Sequence, residues 1–138
     1  LTGTESRWSR QLAGLTLLAL RIVSALVLLE HATSQAFGIP HNPAAPFAGP
    51  PATFTRIWIA SWLGIVGGPL IIMGLFTRPA AFVLSGLMAS AYYLVNAPVS
   101  YFPIVNRGEP AVLLCFVFLY LAAAGAGPYS VDAVLSLR

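Results

Sequence analysis

Apolar positions gather into four runs, at residues 12–32, 57–76, 80–97 and 110–126, separated by polar or proline-rich connections. At 1.5 Å per residue the first three reach or approach the roughly 30 Å of a bilayer's hydrocarbon core, and the fourth is marginal. None of the runs alternates with a period of two, so strands of a membrane barrel are not indicated. Lipid offers no partners for backbone N–H and C=O groups, which must be satisfied within each run, so all four are read as helices. The expected fold is all-α: a single-domain integral membrane four-helix bundle over residues 1–138, with short connections.

Two connections differ in kind. "GIPHNPAAPFAGPPATFT" (38–55) carries too much proline for a long helix and is expected to lie extended over the outer end of the bundle. "NAPVSYFPIVNRGEP" (96–110) sets aromatics between prolines and suits a short interfacial or partly re-entrant segment. The first run follows "SRWSRQ" but is too long for a secretory signal and lacks a small-x-small cleavage pattern, so it is read as an uncleaved span.

Composition sharpens this picture. Of 138 residues, 58% are hydrophobic and 8% charged, which sets the chain apart from water-soluble domains. All seven basic residues are arginines and they are scattered, so no stripe exists to neutralise nucleic-acid phosphates. Arg7, Arg10, Arg78 and Arg138 fall at one end of the expected bundle and Arg56 and Arg107 at the other. The arginine bias of this multi-pass chain places both termini in the cytoplasm. Trp8, Trp58, Trp62, Tyr101 and Tyr129 near the run ends fit interfacial anchoring. Cys115, the single cysteine, lies inside an apolar run and reads as a small buried hydrophobe.

The first span, "LALRIVSALVLLEHATSQAFG" (18–38), poses the main chemical question, because it holds Arg21 near its middle. On a helix, Ser24, His31 and Gln35 fall within about 80° of Arg21, and Glu30 points the other way. The four form a polar stripe facing the bundle. An arginine in mid-bilayer costs roughly 2.5–3.5 kcal/mol on insertion scales and requires acceptors. Carbonyls freed around Gly64 to Pro69, or the hydroxyls of Ser24 and Ser85, are the expected ones. Glu109 is expected near His31, Gln35 and Asn106 at the outer end, and Asp132 is expected to pair with Arg78 at the inner end. Gly64/Gly68 and Ser85/Ala89 have the small-xxx-small spacing that lets helices approach closely. Two histidines without companion ligands predict no metal site, and no nucleophile–base pair or phosphate-binding loop is evident.

"GLFTRPAA" (74–81), "NRGEPA" (106–111) and "GAGPYSVDAVL" (125–135) resemble the successive signatures of the DoxX family of small four-helix bacterial membrane proteins. The resemblance extends to span 1, where the family carries an arginine at the position of Arg21 and an "HG" pair followed by lysine. Here His31 is kept, Ala32 replaces the glycine and Gln35 the lysine; Gly64 stands where the family often has a glutamate. The resemblance implies a place in a bacterial inner membrane, and kinship with the membrane subunit of thiosulfate:quinone oxidoreductase and with membrane redox and sulfur-stress complexes. Thr77, Arg78, Pro79, Tyr129 and Asp132 are read as its structural motif residues.

Two functions are therefore expected. The first is an accessory or anchoring subunit of a larger redox, respiratory or photosynthetic membrane complex, in contact with lipid and other membrane subunits and without turnover of its own. The alternative is a quinone- or small-molecule-binding subunit tied to sulfur or thiol oxidoreductase chemistry, with Arg21, Ser24, His31, Gln35, Asn106 and Glu109 as the polar groups. No cofactor motif is evident, and quinone is the one candidate.

Overall fold

A computed structural model describes residues 6–43 and 50–135. Among these the chain is all-helical: α1 (Arg7–Phe37), α2 (Arg56–Met73), α3 (Thr77–Ala91) with a π-helical turn at Tyr92–Asn96, α4 (Pro103–Asn106), α5 (Glu109–Ala124) and α6 (Val131–Val134). Local chemistry sets the ends. Ser6 Oγ accepts the Ser9 N–H at 3.3 Å to begin α1, and Thr55 Oγ1 accepts the Trp58 N–H at 3.3 Å to begin α2. Gly38 and Gly74 end those helices in the left-handed conformation. α1, α2 and α3 with its π extension are long and apolar enough to cross a membrane; α5, with 16 residues, is apolar but shorter. Arg138 and residues 44–49 of the proline-rich connection lie outside the described residues.

α1 lies along α2, and α3 along α5, with α2 and α3 joining the two pairs. Leu28, Ile71, Leu84, Phe118 and Leu121 meet at the centre, each almost fully buried. Gly64 and Gly68 make the α1–α2 approach close: a Cβ at Gly64 would stand 2.8 Å from that of Ala32, and one at Gly68 2.5 Å from Leu29 Cγ. Dispersion contacts and backbone proximity, rather than apolar burial from water, hold helices together in lipid. On the other pair, Ser85 Oγ donates to the Cys115 carbonyl at 2.8 Å, while Ala89, one turn on, is half-buried.

The register of α1 on α2 departs from the expected layout. Gln35 meets Ser61, Ala32 meets Gly64, Leu29 meets Gly68, and Arg21 reaches Ile71 and Ile72. Arg21 thus stands where α2 ends and α3 begins, at one end of the bundle instead of its middle. Glu30 and His31 stand near the mid-height of α2 instead of the outer end. Beyond Arg21 the fourteen residues from Arg7 to Leu20 extend α1 by about 21 Å; among the described residues Gly14 packs against Pro128, Leu17 packs against Gly127 and the central cluster, and most of the rest is exposed. A 31-residue helix is longer than any bilayer requires, so hydropathy alone could not tell which twenty residues would face the others. At the opposite end Phe37, Trp62, Trp58 and Phe54 form a row of rings with successive centroids 5.2–6.1 Å apart. Such a row suits a membrane–water boundary.

Candidate functional site

The most elaborate polar construction lies at the helix ends around Arg21. Helix C-termini present carbonyls without intrahelical partners, and N-termini present free N–H groups, with partial charges to match. Arg21, 1% exposed, satisfies the former. Its Nε donates to Ile71 O at 2.8 Å, Nη2 to Ile72 O at 3.1 Å and Tyr129 O at 3.0 Å, and Nη1 to Ala126 O. Four of the five guanidinium N–H groups are thereby spent on backbone carbonyls, two from the last turn of α2 and two from the segment after α5. The acceptors are of the expected kind but lie past Pro69. The carbonyls of the last turn of α2, of which Ile71 O also accepts the Gly74 N–H at 3.2 Å, are the ones within reach, and Ser24 turns its hydroxyl back to Leu20 O at 2.6 Å on its own helix.

Asp132 satisfies the opposite terminus. Its Oδ1 accepts the Phe76 N–H at 2.9 Å and its Oδ2 the Thr77 N–H at 3.0 Å, while its own N–H donates to Gly74 O at 2.9 Å. The carboxylate therefore caps α3 from 55 residues away, and it acts electrostatically on Arg21 as the nearby negative charge. The turn it braces is tight: Phe76 has φ 48°, a conformation disfavoured for a side chain of that size, and Gly74 has φ 70°. A Cβ at Gly74 would come within 3.0 Å of Arg21 Cζ, so the guanidinium sits against bare backbone there. Arg78 is not the partner of Asp132. Its Nη1 donates to Ala123 O at 2.6 Å, capping the C-terminus of α5. Cations at two C-termini and an anion at an N-terminus follow the sense of the helix dipoles, which explains why a direct Arg78–Asp132 pair gives way. Ser130 begins α6 by accepting the Ala133 N–H at 3.1 Å. Among the described residues, Thr77 Oγ1 is the buried side-chain oxygen left without a hydrogen bond, and Pro79 lies in the first turn of α3.

The other sequence candidates are not brought together. Asn106, 6% exposed, organises the connection between α3 and α5: its Nδ2 donates to Ser100 O at 2.6 Å and Tyr92 Oη at 3.2 Å, and its Oδ1 accepts the Gly108 N–H at 2.7 Å. Asn96 Nδ2 donates to Asn106 O at 2.9 Å, and Tyr92 Oη to Tyr101 O at 2.8 Å. Glu109 is exposed in the first turn of α5 behind the N-cap Gly108. His31 and Gln35 are exposed on α1. His31 Nδ1 lies 2.9 Å from Val27 O, and Gln35 Oε1 accepts from Ser61 Oγ at 3.4 Å. No hydrogen bond joins this pair to Asn106 or Glu109 among the described residues, because Asn106 turns into its own connection. Tyr92 and Asn96 were missed as partners of Asn106. Their only signal was the run of prolines and aromatics that a re-entrant connection must tie down.

The motifs "GLFTRPAA" and "GAGPYSVDAVL" and the arginine of the first span thus converge on one knot. A DoxX family model matches residues 16–97. An uncharacterized protein of Haemophilus influenzae (strain ATCC 51907 / DSM 11121 / KW20 / Rd) is 39% identical over 118 residues, covering 82% of this chain and 85% of that protein. No solved structure matches.

Proposed function

As the chain belongs to the DoxX family of membrane proteins, we propose that it is an accessory or anchoring subunit of a larger membrane complex, without turnover of its own. One observation carries this reading: its buried ionic side chains are spent on its own backbone. Arg21 and Asp132 are occupied by helix ends, as is the exposed Arg78, while large apolar side chains such as Trp8, Leu12, Phe82 and Phe116 face outward. Such a body holds a place in the bilayer and offers surface for packing. In this reading α5 is the fourth span, beside α3, and the chain sits in a bacterial inner membrane. The end carrying Arg7, Arg10, Arg21 and Arg78 faces the cytoplasm, against Arg56 and Arg107 outside, which puts both termini inside. A redox, respiratory or photosynthetic complex is the partner class we favour.

The test is extraction from native membranes in mild detergent followed by native mass analysis. The expected species contains this chain with other membrane polypeptides; particles made of this chain alone overturn the reading. A quinone-binding function loses Arg21 as a contributor, since four of its five donors are engaged, and of its candidates on α1 keeps His31 and Gln35 as exposed groups. Quinone-dependent thermal stabilisation that disappears in His31→Ala would support that alternative.

A further inference from the structure

Glu30 is exposed, on the side of α1 turned away from the bundle, and its carboxylate has no hydrogen bond or ion pair among the described residues. The α1–α2 register places it near the mid-height of α2, and seven residues, about 10 Å, inward from Phe37 in the aromatic row. With α1 and α2 spanning the bilayer, this puts an acid against lipid, well inside the hydrocarbon. Intramembrane acids are costly and face protein partners. The face around it has a coherent pattern: Thr16, Leu20, Val23, Val27, Glu30 and Ser34 recur at intervals of four and three, the seam spacing of two helices wound left-handedly about each other. All six are exposed or half-buried in the isolated chain.

We propose that this face of α1 is the contact surface for a second copy of the chain, with Glu30 of each copy paired to His31 of the partner subunit. The complementary group is adjacent in the chain. His31 follows Glu30 by one residue, so a twofold axis parallel to α1 sets each Glu30 opposite the other copy's His31, twice. Both copies insert into the membrane in the same sense, so the two levels agree. The short contact of His31 Nδ1 with Val27 O, a carbonyl that can only accept, puts a hydrogen on Nδ1 and leaves Nε2 facing outward. One proton shared between the carboxyl and Nε2 then closes each pair and leaves it without net charge. The exposure of most of α1 from Arg7 to Leu20 points the same way, since a second α1 alongside covers the face that the C-terminal segment leaves open. The inference rests on α1 and α2 spanning the bilayer and is independent of any other partner.

Single cysteines introduced along α1 of the full chain, in a Cys115→Ser background in membranes, test it by oxidative cross-linking. Disulfide-linked dimers are expected for Leu20→Cys, Val23→Cys, Val27→Cys and Ser34→Cys, and not for Ile22→Cys, Leu26→Cys or Leu29→Cys. Uniform cross-linking, none, or a maximum on another face overturns the proposal. In native mass spectra of detergent-solubilised protein, Glu30→His alone and His31→Glu alone should each weaken the dimer about tenfold. The double exchange, Glu30→His with His31→Glu, should restore it. Failure of the exchange to restore the dimer rules out the reciprocal pairing. The accessory-subunit reading fails separately, when no other polypeptide copurifies.

Discussion

The two ends of the bundle are tied by different means. At one end, the inner one in the orientation proposed above, charged side chains bind backbone across large separations: Arg21 reaches Ile71 and Ala126, and Asp132 reaches Phe76. At the outer end, neutral amide and phenol groups bind within the stretch from Tyr92 to Gly108. The inner knot therefore fixes how α1, α2, α3 and α5 sit together, and the outer clamp shapes one connection. The lesson is energetic as well as topological. Hydrogen bonds from charged groups are worth about 1.5–3 kcal/mol each against about 1 kcal/mol for neutral ones, and a polar group stranded in an apolar interior costs more still.

Breaking the inner knot should have the largest effect. Arg21→Met strands the carbonyls of Ile72, Ala126 and Tyr129 and leaves Ile71 O with the Gly74 N–H alone, and we expect a loss of about 3–5 kcal/mol, as when one partner of a buried charged contact is removed. SDS-titrated unfolding followed by tryptophan fluorescence measures it, and a loss below that of any outer-clamp variant reverses the comparison. Asp132→Asn keeps one acceptor oxygen and puts a donor opposite the other N–H, for an expected loss of about 1–3 kcal/mol on the same assay. Tyr92→Phe removes one neutral donor and one acceptor from the outer clamp and should cost about 1 kcal/mol, with protease sensitivity rising only between α3 and α5. Thr77→Val sharpens the contrast from within the knot. Its hydroxyl has no partner among the described residues, so this near-isosteric change should leave stability unchanged or raise it by up to about 1 kcal/mol. A clear loss there shows that the hydroxyl does find a partner in the membrane.

Much of the site was legible as a set of residues and little of it as an arrangement. The polar stripe of span 1 singled out Arg21 because a charge in an apolar run must find acceptors, and the motif residues Thr77, Arg78 and Asp132 were marked through the family resemblance. Their pairings were not readable, since a guanidinium and a carboxylate can each serve a helix terminus as well as each other. Asn106 was grouped with His31 by its height in the membrane, whereas hydrogen-bond geometry turned it toward Tyr92 and Ser100. Glu30 was set aside because it points away from Arg21, and that same outward direction is what gives it meaning once its height is known.

The sequence by itself determined that the chain is helical and made for a membrane. Apolar runs of this length leave the backbone no other way to satisfy its hydrogen bonds in lipid, and no contact between runs is needed to establish that. Only the tertiary structure decided which level of α1 meets which level of α2. α1 is longer than the bilayer and uniformly apolar over much of its length, so any of several registers would bury its hydrophobic surface equally well. The choice was made by the close fit of Gly64 on Ala32 and Gly68 on Leu29, and by the need of the carbonyls at the end of α2 for the guanidinium of Arg21. That register placed the arginine at the helix ends and the glutamate in the middle of the outward face.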